Sequence, residues 1–231
     1  MAYGISVENA SAKLVLSSDG LVLGYLGKAT HSSTTAPTAT ANGYSTYTFS
    51  HAGKIVPAIK LVTNYNSLLL SMSQAGSTWT ITLYHGTGTD ANGFQPQSTA
   101  DVYVWGLPVS VSGYGMAMYD AGGNLTADLS KRPLSILQKI DWGTTTVTES
   151  IAGGITTPAV IGMLHDWQRI RSGSGPTWNF NYDSGAWGRS STDVRRDWIQ
   201  RRQALGEDTG DPTSTQRRAV RGIVVDVNGL T

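Results

Sequence analysis

Residues 3–14 read Tyr-Gly-Ile-Ser-Val-Glu-Asn-Ala-Ser-Ala-Lys-Leu, and residues 114–125 read Tyr-Gly-Met-Ala-Met-Tyr-Asp-Ala-Gly-Gly-Asn-Leu. Aligned without gaps, the two stretches share four of twelve residues, and most other positions keep their polarity. A spacing of about half the chain predicts two copies of one module, because a solenoid would repeat every 20–50 residues or so. The alternative is coincidence, since any β-hairpin has similar turn chemistry. Duplicated β modules without cysteine are more typical of assembly and binding proteins than of single-site enzymes.

Both stretches alternate apolar and polar residues on either side of a turn-forming segment. The apolar positions are Ile5, Val7, Leu14 and Leu16 in the first stretch and Met116, Met118 and Leu125 in the second. Period-two alternation predicts half-buried strands. The Asn, Asp, Ser and Gly residues at 9–12 and 120–123 suit a hairpin turn because they tolerate positive φ angles or form local side-chain bonds. Each module is therefore expected to open with a β-hairpin.

The composition favours β structure and excludes several classes of protein. Only 14% of the 231 residues are charged, and 27 are Gly, which does not suit a helical bundle. The absence of cysteine excludes disulfides and thiol chemistry. Residues 1–112 hold four Lys and four acidic residues, and residues 113–231 hold eleven Arg, two Lys and twelve acidic residues. Neither half has the basic excess of a general nucleic-acid binder, so no nucleic-acid partner is expected.

No apolar stretch approaches the length of about 18 residues that a membrane helix needs, so no membrane insertion is expected. The first residues, Met-Ala-Tyr-Gly, have neither a basic segment nor an apolar one, which argues against a signal peptide. The sequence therefore predicts a protein made in the cytoplasm.

The expected fold is mainly β, with two antiparallel β-sandwich-like modules and one short helix in the C-terminal part. The boundary falls between an N-terminal module, 1–112, and a C-terminal module, 113–231. Alternation and turn signals predict strands at 3–8, 12–17, 21–26, 44–50, 55–63, 66–73, 78–84, 101–106, 114–119, 124–129, 134–140, 144–151, 158–164, 178–182 and 220–227. Residues 29–42 and 85–99 are expected to be exposed loops.

One segment has helix signals. Ser191 or Thr192 suits an N-cap and Gly206 a C-cap, which predicts an Arg-rich helix near 193–205. Its narrow apolar stripe would consist of Val194, Trp198 and Leu205, and would dock on a sheet or on a partner subunit.

Catalytic and cofactor motifs are absent from the sequence. It contains no phosphate-binding loop, no nucleophile elbow and no His-Glu-x-x-His, so no catalytic, cofactor-binding or metal residue is assigned. Four widely spaced histidines do not form a recognisable metal motif: His31, His51, His85 and His165. A polysaccharide hydrolase would need a carboxylate pair. The acidic residues considered for that alternative are Asp90, Asp101, Asp166 and Asp183.

Two groups of residues are candidates for binding. Trp and Tyr combine an apolar body with a polar tip, which favours interfaces and sugar faces. The candidate glycan or interface contacts are Trp142, Trp178, Tyr182 and Trp187, because Gly, Ser and Asn turn residues surround them. Trp79 and Trp105 are expected in the core because they lie within predicted strands. The candidate intersubunit or anion contacts are Arg189, Arg195, Arg196, Arg201, Arg202, Arg217 and Arg218. A solvated charged face is the alternative for the arginines.

Three stretches together resemble a group of tail-associated proteins of long-tailed bacteriophages, encoded near the tail-tip genes. They are the opening 1–16, the Val-Tyr-Val-Trp-Gly at 102–106, and 113–125 with its continuation Lys-Arg-Pro-Leu at 131–134. The resemblance implies a minor tail protein of the virion, a non-enzymatic structural component at or near the distal tail tip. It would assemble with other tail proteins as a homo-oligomer. Two alternatives stay open: a receptor-binding module for host attachment through a surface glycan, and a polysaccharide-acting hydrolase.

Overall fold

A computed structural model describes residues 6–8, 14–17, 22–36, 43–63, 65–85, 95–96, 99–111, 116–142, 148–164, 167–172, 177–189, 192–207, 213–216 and 220–231. In this part of the chain every regular element is a strand, so the expected mainly-β fold class is confirmed. No helix in the described ranges is long and apolar enough to cross a membrane.

The strands of the first half are β1 (Ser6–Glu8), β2 (Leu14–Ser17), β3 (Gly24–Lys28), β4 (Thr30–Thr35), β5 (Gly43–Ser50), β6 (Ile55–Lys60), β7 (Tyr65–Ala75), β8 (Thr78–His85), β9 (Gln95–Pro96) and β10 (Val102–Gly106). Those of the second half are β11 (Ala117–Tyr119), β12 (Leu125–Asp128), β13 (Gln138–Trp142), β14 (Thr148–Ser150), β15 (Pro158–Leu164), β16 (Trp167–Ser172), β17 (Thr177–Arg189), β18 (Asp193–Glu207), β19 (Thr213–Gln216) and β20 (Val220–Asp226).

Two large sheets draw strands from both halves of the chain. The six-stranded sheet has the order β13-β20-β15-β6-β10-β3. The ten-stranded sheet follows the path β14-β18-β17-β7-β8-β5-β4, with β9, β16 and β19 attached beside it. Within each sheet the first half supplies one block of strands and the second half the other. The expected division at residue 112 stays a prediction about folding units, but hydrogen-bonded sheets continue across it.

The two sheets pack face to face through a separate core in each half. The core of the first half is formed by Tyr47, Ile55, Ile59, Ile81, Leu83, Val102 and Val104. That of the second half is formed by Leu61, Ile140, Val160, Trp187, Val194 and Val224. Apart from Leu61, each core draws its buried residues from one half, which is the arrangement expected of a sandwich built from two modules.

A third cluster, called here the joint core, draws on both halves. Its buried members are Ala58, Tyr103, Trp105, Ala159, Ile161, Val225 and Val227, and Leu23, Leu134 and Leu230 are among the residues packed on them. Strand β10 contributes to two clusters because alternate residues of a strand face opposite sides. Val102 and Val104 lie in the core of the first half, whereas Tyr103 and Trp105 lie in the joint core. The expected burial of Trp105 is confirmed.

The two expected hairpins are present, and their pairing is the same. Strand β1 pairs with β2 through Ser6↔Ser17, Val7↔Leu16 and Glu8↔Leu14. Strand β11 pairs with β12 through Ala117↔Asp128, Met118↔Ala127 and Tyr119↔Leu125. Each ladder has a register shift after its second pair.

In the second hairpin Asp120 fixes the turn by accepting bonds from the backbone N–H groups of Gly122 and Asn124, at 2.9 and 2.8 Å. The Asn124 side-chain amide also bonds the Asp120 carboxylate. This bond and the backbone bonds lower the pKa of Asp120.

The expected helix near 193–205 is wrong, because these residues lie in strand β18. Strands β17 and β18 form a long antiparallel hairpin with 13 register pairs, from Thr177↔Glu207 to Arg189↔Val194. Cap residues and intrinsic propensity are weak local preferences that an extended partner strand overrides. Strand pairing also places Val194, a residue of the expected helical stripe, at 0% exposure in the core of the second half.

The expected loop at 29–42 is partly wrong as well. Residues 30–35 form β4, which pairs with β5 and is exposed along its whole length. The Ser/Thr composition therefore indicated exposure correctly. It did not distinguish an edge strand from a loop, because such residues occur in both. Of the other expected loop, 85–99, the structure describes only the ends, with His85 in β8 and Gln95–Pro96 in β9.

We predict that Gly222→Ala destabilises the fold. A Cβ at Gly222 in β20 would lie 2.7 Å from two ring carbons of the buried Trp187. Such overpacking should lower the free energy of unfolding by about 1–3 kcal/mol, measured by urea denaturation. Gly153→Ala is the matched control, since its Cβ would meet nothing within 4 Å. Equal stability of the two variants would contradict the packing of Trp187 against β20.

Candidate functional site

Three neighbouring strands of the six-stranded sheet bring two lysines and one aspartate together. Lys28 ends β3, Lys60 ends β6, and Asp101 precedes β10, which lies between them. The Lys60 backbone N–H donates to the Asp101 carbonyl at 3.0 Å. The Asp101 carboxylate lies 3.3 Å from the Lys60 ammonium and 3.9 Å from that of Lys28. These side chains are 35–42% exposed, so the ion pairs are screened and modest in energy.

An open surface cleft of about 450 Å³ lies beside this triad, lined by His31, Tyr47, Lys60, Val62 and residues 99–101. Its rim includes the ends of both segments that the sequence marked as exposed loops. The lining offers a cation, a carboxylate, a hydroxyl and an imidazole at one surface. Such a set can donate to and accept from a hydroxyl-rich ligand.

Tyr47 fixes the shape of the cleft although only 1% of it is exposed. The backbone N–H of Ala100 donates to its hydroxyl at 2.7 Å. The ring of His31 meets that of Tyr47 edge-on, with centroids 5.3 Å apart. Burial raises the pKa of Tyr47, and the bond from Ala100 partly opposes this. Tyr47 therefore holds residues 99–101 and His31 in place, and its buried ring is not free to stack on a sugar.

Aromatic rings of the first half lie next to the triad on the face that forms the joint core. The centroid of Tyr25 is 6.3 Å from that of Tyr103 and 5.5 Å from that of Trp105. The Lys28 ammonium lies 5.0 Å from the centroid of Tyr103, within the range of a cation–π contact. Burial raises the pKa of Tyr25, and the nearby Tyr103 and Asp101 raise it further by electrostatic repulsion. The Tyr25 hydroxyl donates to the backbone oxygen of Thr231 at 3.0 Å. Thr231 thus contacts this aromatic group through Tyr25.

A second, smaller cavity of about 170 Å³ lies where the second hairpin meets the first half, with His51, Asp128 and Lys131 in its lining. Asp128 is only 5% exposed and accepts bonds from the backbone N–H and the hydroxyl of Ser130, at 3.0 and 2.6 Å. The His51 Nε2–H donates to the Leu107 carbonyl at 2.9 Å. His51 and Asp128 thus have structural partners, so the cavity is a joint between elements.

Trp187 was expected to be a surface contact, and this expectation is wrong. It is 2% exposed and belongs to the core of the second half. The Gly/Ser-rich neighbourhood suggested exposure, but Gly222 on the opposite sheet leaves room for the indole. Trp178 and Tyr182 lie on the same strand, β17, whereas Trp142 lies on β13 in the other sheet. The side chains of these last three residues lie outside the described part, so their role as contacts stays a prediction.

Among the candidate arginines, Arg189 has a described side chain. It donates to the Leu61 carbonyl of the first half at 3.2 Å, and burial lowers the pKa of its guanidinium. Arg189 therefore joins the two halves of one chain. The backbones of Arg195, Arg196, Arg201 and Arg202 lie in β18, and Arg217 and Arg218 lie outside the described residues, so their role stays a prediction.

The histidines and acidic residues are those considered for metal binding and for hydrolysis. In the described ranges, no group of three His, Cys, Asp or Glu side chains could hold a metal ion. His31 bonds the Thr34 hydroxyl at 2.8 Å, and Asp101 pairs with the two lysines. Asp90, Asp166 and His165 lie outside the described residues, as do the side chains of Asp183 and His85.

The triad itself was missed by the sequence analysis. Lys28, Lys60 and Asp101 are separated by 32 and 41 positions and belong to no motif. Only the pairing of β10 with both β3 and β6 makes them neighbours. The one available signal was that Asp101 begins the predicted strand 101–106, whereas Lys28 lies beyond the predicted strand 21–26 and Lys60 lies inside 55–63.

We predict that Asp101→Asn lowers the free energy of unfolding by at most about 1 kcal/mol, because the ion pairs are partly exposed. The loss should shrink in about 1 M salt. A double-mutant cycle with Lys60→Gln, followed by urea denaturation at low and high salt, measures the coupling. A coupling that salt does not change would contradict a screened ion pair.

Comparisons with known proteins add no relative. No family model, no curated protein and no solved structure matches the chain. The chain's own residues, with the short motifs at 1–16, 102–106, 113–125 and 131–134, are what indicate its function.

Proposed function

We propose that this chain is a non-enzymatic structural component of a bacteriophage tail, at or near the distal tip, that assembles with other tail proteins. The observation that carries the proposal is the continuity of both sheets through the two halves. Strand β15 pairs with β6, and β17 pairs with β7. A sandwich joined in both layers resists bending between its halves, which suits a building block that transmits force within a particle.

The exposed edge supports the same proposal. Strand β4 lies at the end of the ten-stranded path, and all six of its residues are exposed. An edge strand presents backbone N–H and C=O groups that a neighbouring chain can pair with. Five of its six residues are Ser or Thr, whose short side chains allow close approach without a charge to bury, and the sixth is His31. Neighbouring tail proteins, or another copy of the chain in a homo-oligomer, would use this edge.

The proposal predicts that the protein is present in purified virions in a fixed ratio to other tail proteins. Quantitative mass spectrometry of gradient-purified particles measures this ratio, and immunogold electron microscopy locates the protein. Gold at the tail tip is the expected result. Absence from the particles, with the protein found only in the soluble extract, would end the proposal.

A second candidate function, glycan binding during host attachment, is favoured by the cleft lined by His31, Lys60 and residues 99–101. A hydroxyl-rich ligand could bond these groups without a buried catalytic site. We predict that Lys60→Ala combined with Thr99→Ala weakens binding of the labelled protein to host cells at least tenfold. Lys54→Ala is the matched control, because Lys54 is an exposed lysine outside the cleft.

Flow cytometry with labelled protein measures this binding, and thermal denaturation shows that the variants remain folded. An unchanged affinity of the folded double variant would exclude the cleft as the glycan site. Release of reducing ends from host polysaccharide by the intact protein would instead favour the hydrolase alternative.

A further inference from the structure

Strands of the two halves correspond in chain order, apart from β5, β9, β16 and β19. We propose that the two halves are copies of one module and that they pack against each other about a local twofold axis. The partner that fits the inner surface of each half is thus a second copy of the same module. This inference goes beyond the tail proposal and does not depend on it.

The opening hairpins give the first line of support. Residues 6–8 and 14–17 correspond to 117–119 and 125–128, in each case 111 positions later. All three register pairs and the position of the register shift agree under this correspondence. Sequence similarity at the turns could arise by chance. A bulge at the same step of both ladders is harder to explain without a common origin, because bulges are specific features of a strand pair.

The order of strands in the sheets gives the second line of support. Reading outward from the joint between the halves, the six-stranded sheet runs β6-β10-β3 on one side and β15-β20-β13 on the other. The ten-stranded path runs β7-β8-β5-β4 on one side and β17-β18-β14 on the other. Pairing the strands in chain order gives β3 with β13, β4 with β14, β6 with β15, β7 with β17, β8 with β18 and β10 with β20. The six-stranded sheet is therefore a palindrome of equivalent strands, and the ten-stranded path is one apart from β5, which lacks a counterpart.

A twofold axis requires residues near it to contact their own counterparts. Strands β6 and β15 share the dipeptide Pro-Ala, at Pro57-Ala58 and at Pro158-Ala159. Aligning these dipeptides makes Val160 the counterpart of Ile59, and these two residues are register partners across the joint. The two strands are antiparallel, as a twofold axis perpendicular to the sheet demands.

A second self-contact lies on the joint core. Leu134 is the counterpart of Leu23 in the alignment of the hairpins, and its backbone N–H donates to the Leu23 carbonyl at 2.8 Å. The neighbouring contacts continue the same antiparallel register, with the bridge Gly24↔Pro133 and a bond from Tyr25 N–H to the Arg132 carbonyl. Both leucines pack on the joint core. Two separate places in the molecule thus join equivalent residues.

The correspondence also shows that the charged triad belongs to the first copy alone. The counterpart of Lys60 is Ile161, which is 7% exposed in the joint core. The charged triad is therefore a feature of the first copy and is not required for the fold of the module.

The axis predicts where the ends of the chain lie. Val102 is the register partner of Ile59, and Val224 is that of Val160, so Val224 is the counterpart of Val102. Four residues further along each strand, Asn228 is therefore the counterpart of Gly106. Seven residues, 107–113, connect Gly106 to Tyr114. The counterpart of that connection would run from Asn228 to Tyr3, and residues 229–231 and 1–2 supply five of its seven residues. Two added residues should therefore join the ends of the chain.

A circular permutation of the full chain tests this prediction. Thr231 is joined to Met1 through Gly-Gly, and the chain is opened between Ser110 and Val111, which are both exposed. We expect a melting temperature within about 5 °C of the parent, because both modules and their contact are kept. The control has the same Gly-Gly closure but opens at the turn Gly76–Ser77, inside the first module. It should melt at least about 10 °C lower.

A third permutant, opened at Ser110–Val111 and closed with about 20 Gly/Ser residues, tests the position of the ends, since two residues span at most about 7 Å. Folding of the short-linker form with a stability equal to the long-linker form supports the axis. Folding with the long linker alone would overturn it, because the ends would then lie far apart. Failure of both forms, or equal stability of the Gly76–Ser77 control, would overturn the division into two modules.

Discussion

The fold depends on burial of both faces of the six-stranded sheet. One face packs on the ten-stranded sheet through the separate cores of the two halves, and the other carries the joint core. Full burial of a large apolar side chain contributes about 1.5–3 kcal/mol, so a strand that is buried on both sides is a strong constraint. Strand β10 shows this most clearly, since all five of its residues are buried. Its neighbours β3 and β6 are thereby fixed in register, and the chain cannot separate into two halves without exposing the joint core.

Burial of the middle of these strands determines where polar chemistry can occur. All five residues of β10 are buried, and where β10 begins and β3 and β6 end, Asp101, Lys28 and Lys60 meet. Because the triad is partly exposed, it contributes little to stability, and its presence in one half alone is consistent with a surface role. Tyr47 shapes the cleft next to the triad. Its hydroxyl accepts a bond from Ala100 on one side, and its ring contacts His31 on the other. A rigid body with polar features at strand ends and an exposed Ser/Thr edge suits contacts with other molecules.

The sequence predicted the strands whose pattern is local. Alternation identified both hairpins, and apolar runs identified β6, β8, β10, β15 and β20 within a few residues. It failed where the pattern was ambiguous or absent. Residues 193–205 lie between cap residues and include helix-forming side chains, yet a 13-pair ladder with β17 makes them a strand. Residues 30–35 have the composition of a loop, yet pairing with β5 extends the ten-stranded sheet through them. In both cases a partner distant in sequence supplied hydrogen bonds that local propensity does not report.

The sequence by itself determined the mainly-β class, the absence of disulfides and the repeat of the opening hairpin, because these follow from composition and from patterns shorter than fifteen residues or so. Tertiary structure alone decided which strands became neighbours. It placed Trp187 in the core beneath Gly222, although its Gly/Ser-rich surroundings indicated exposure. It also brought Lys28, Lys60 and Asp101 together and joined Leu23 to Leu134. The physical reason is that sheet pairing is non-local: the ladder partner of a strand is chosen by burial of the whole sheet, and no short segment records that choice.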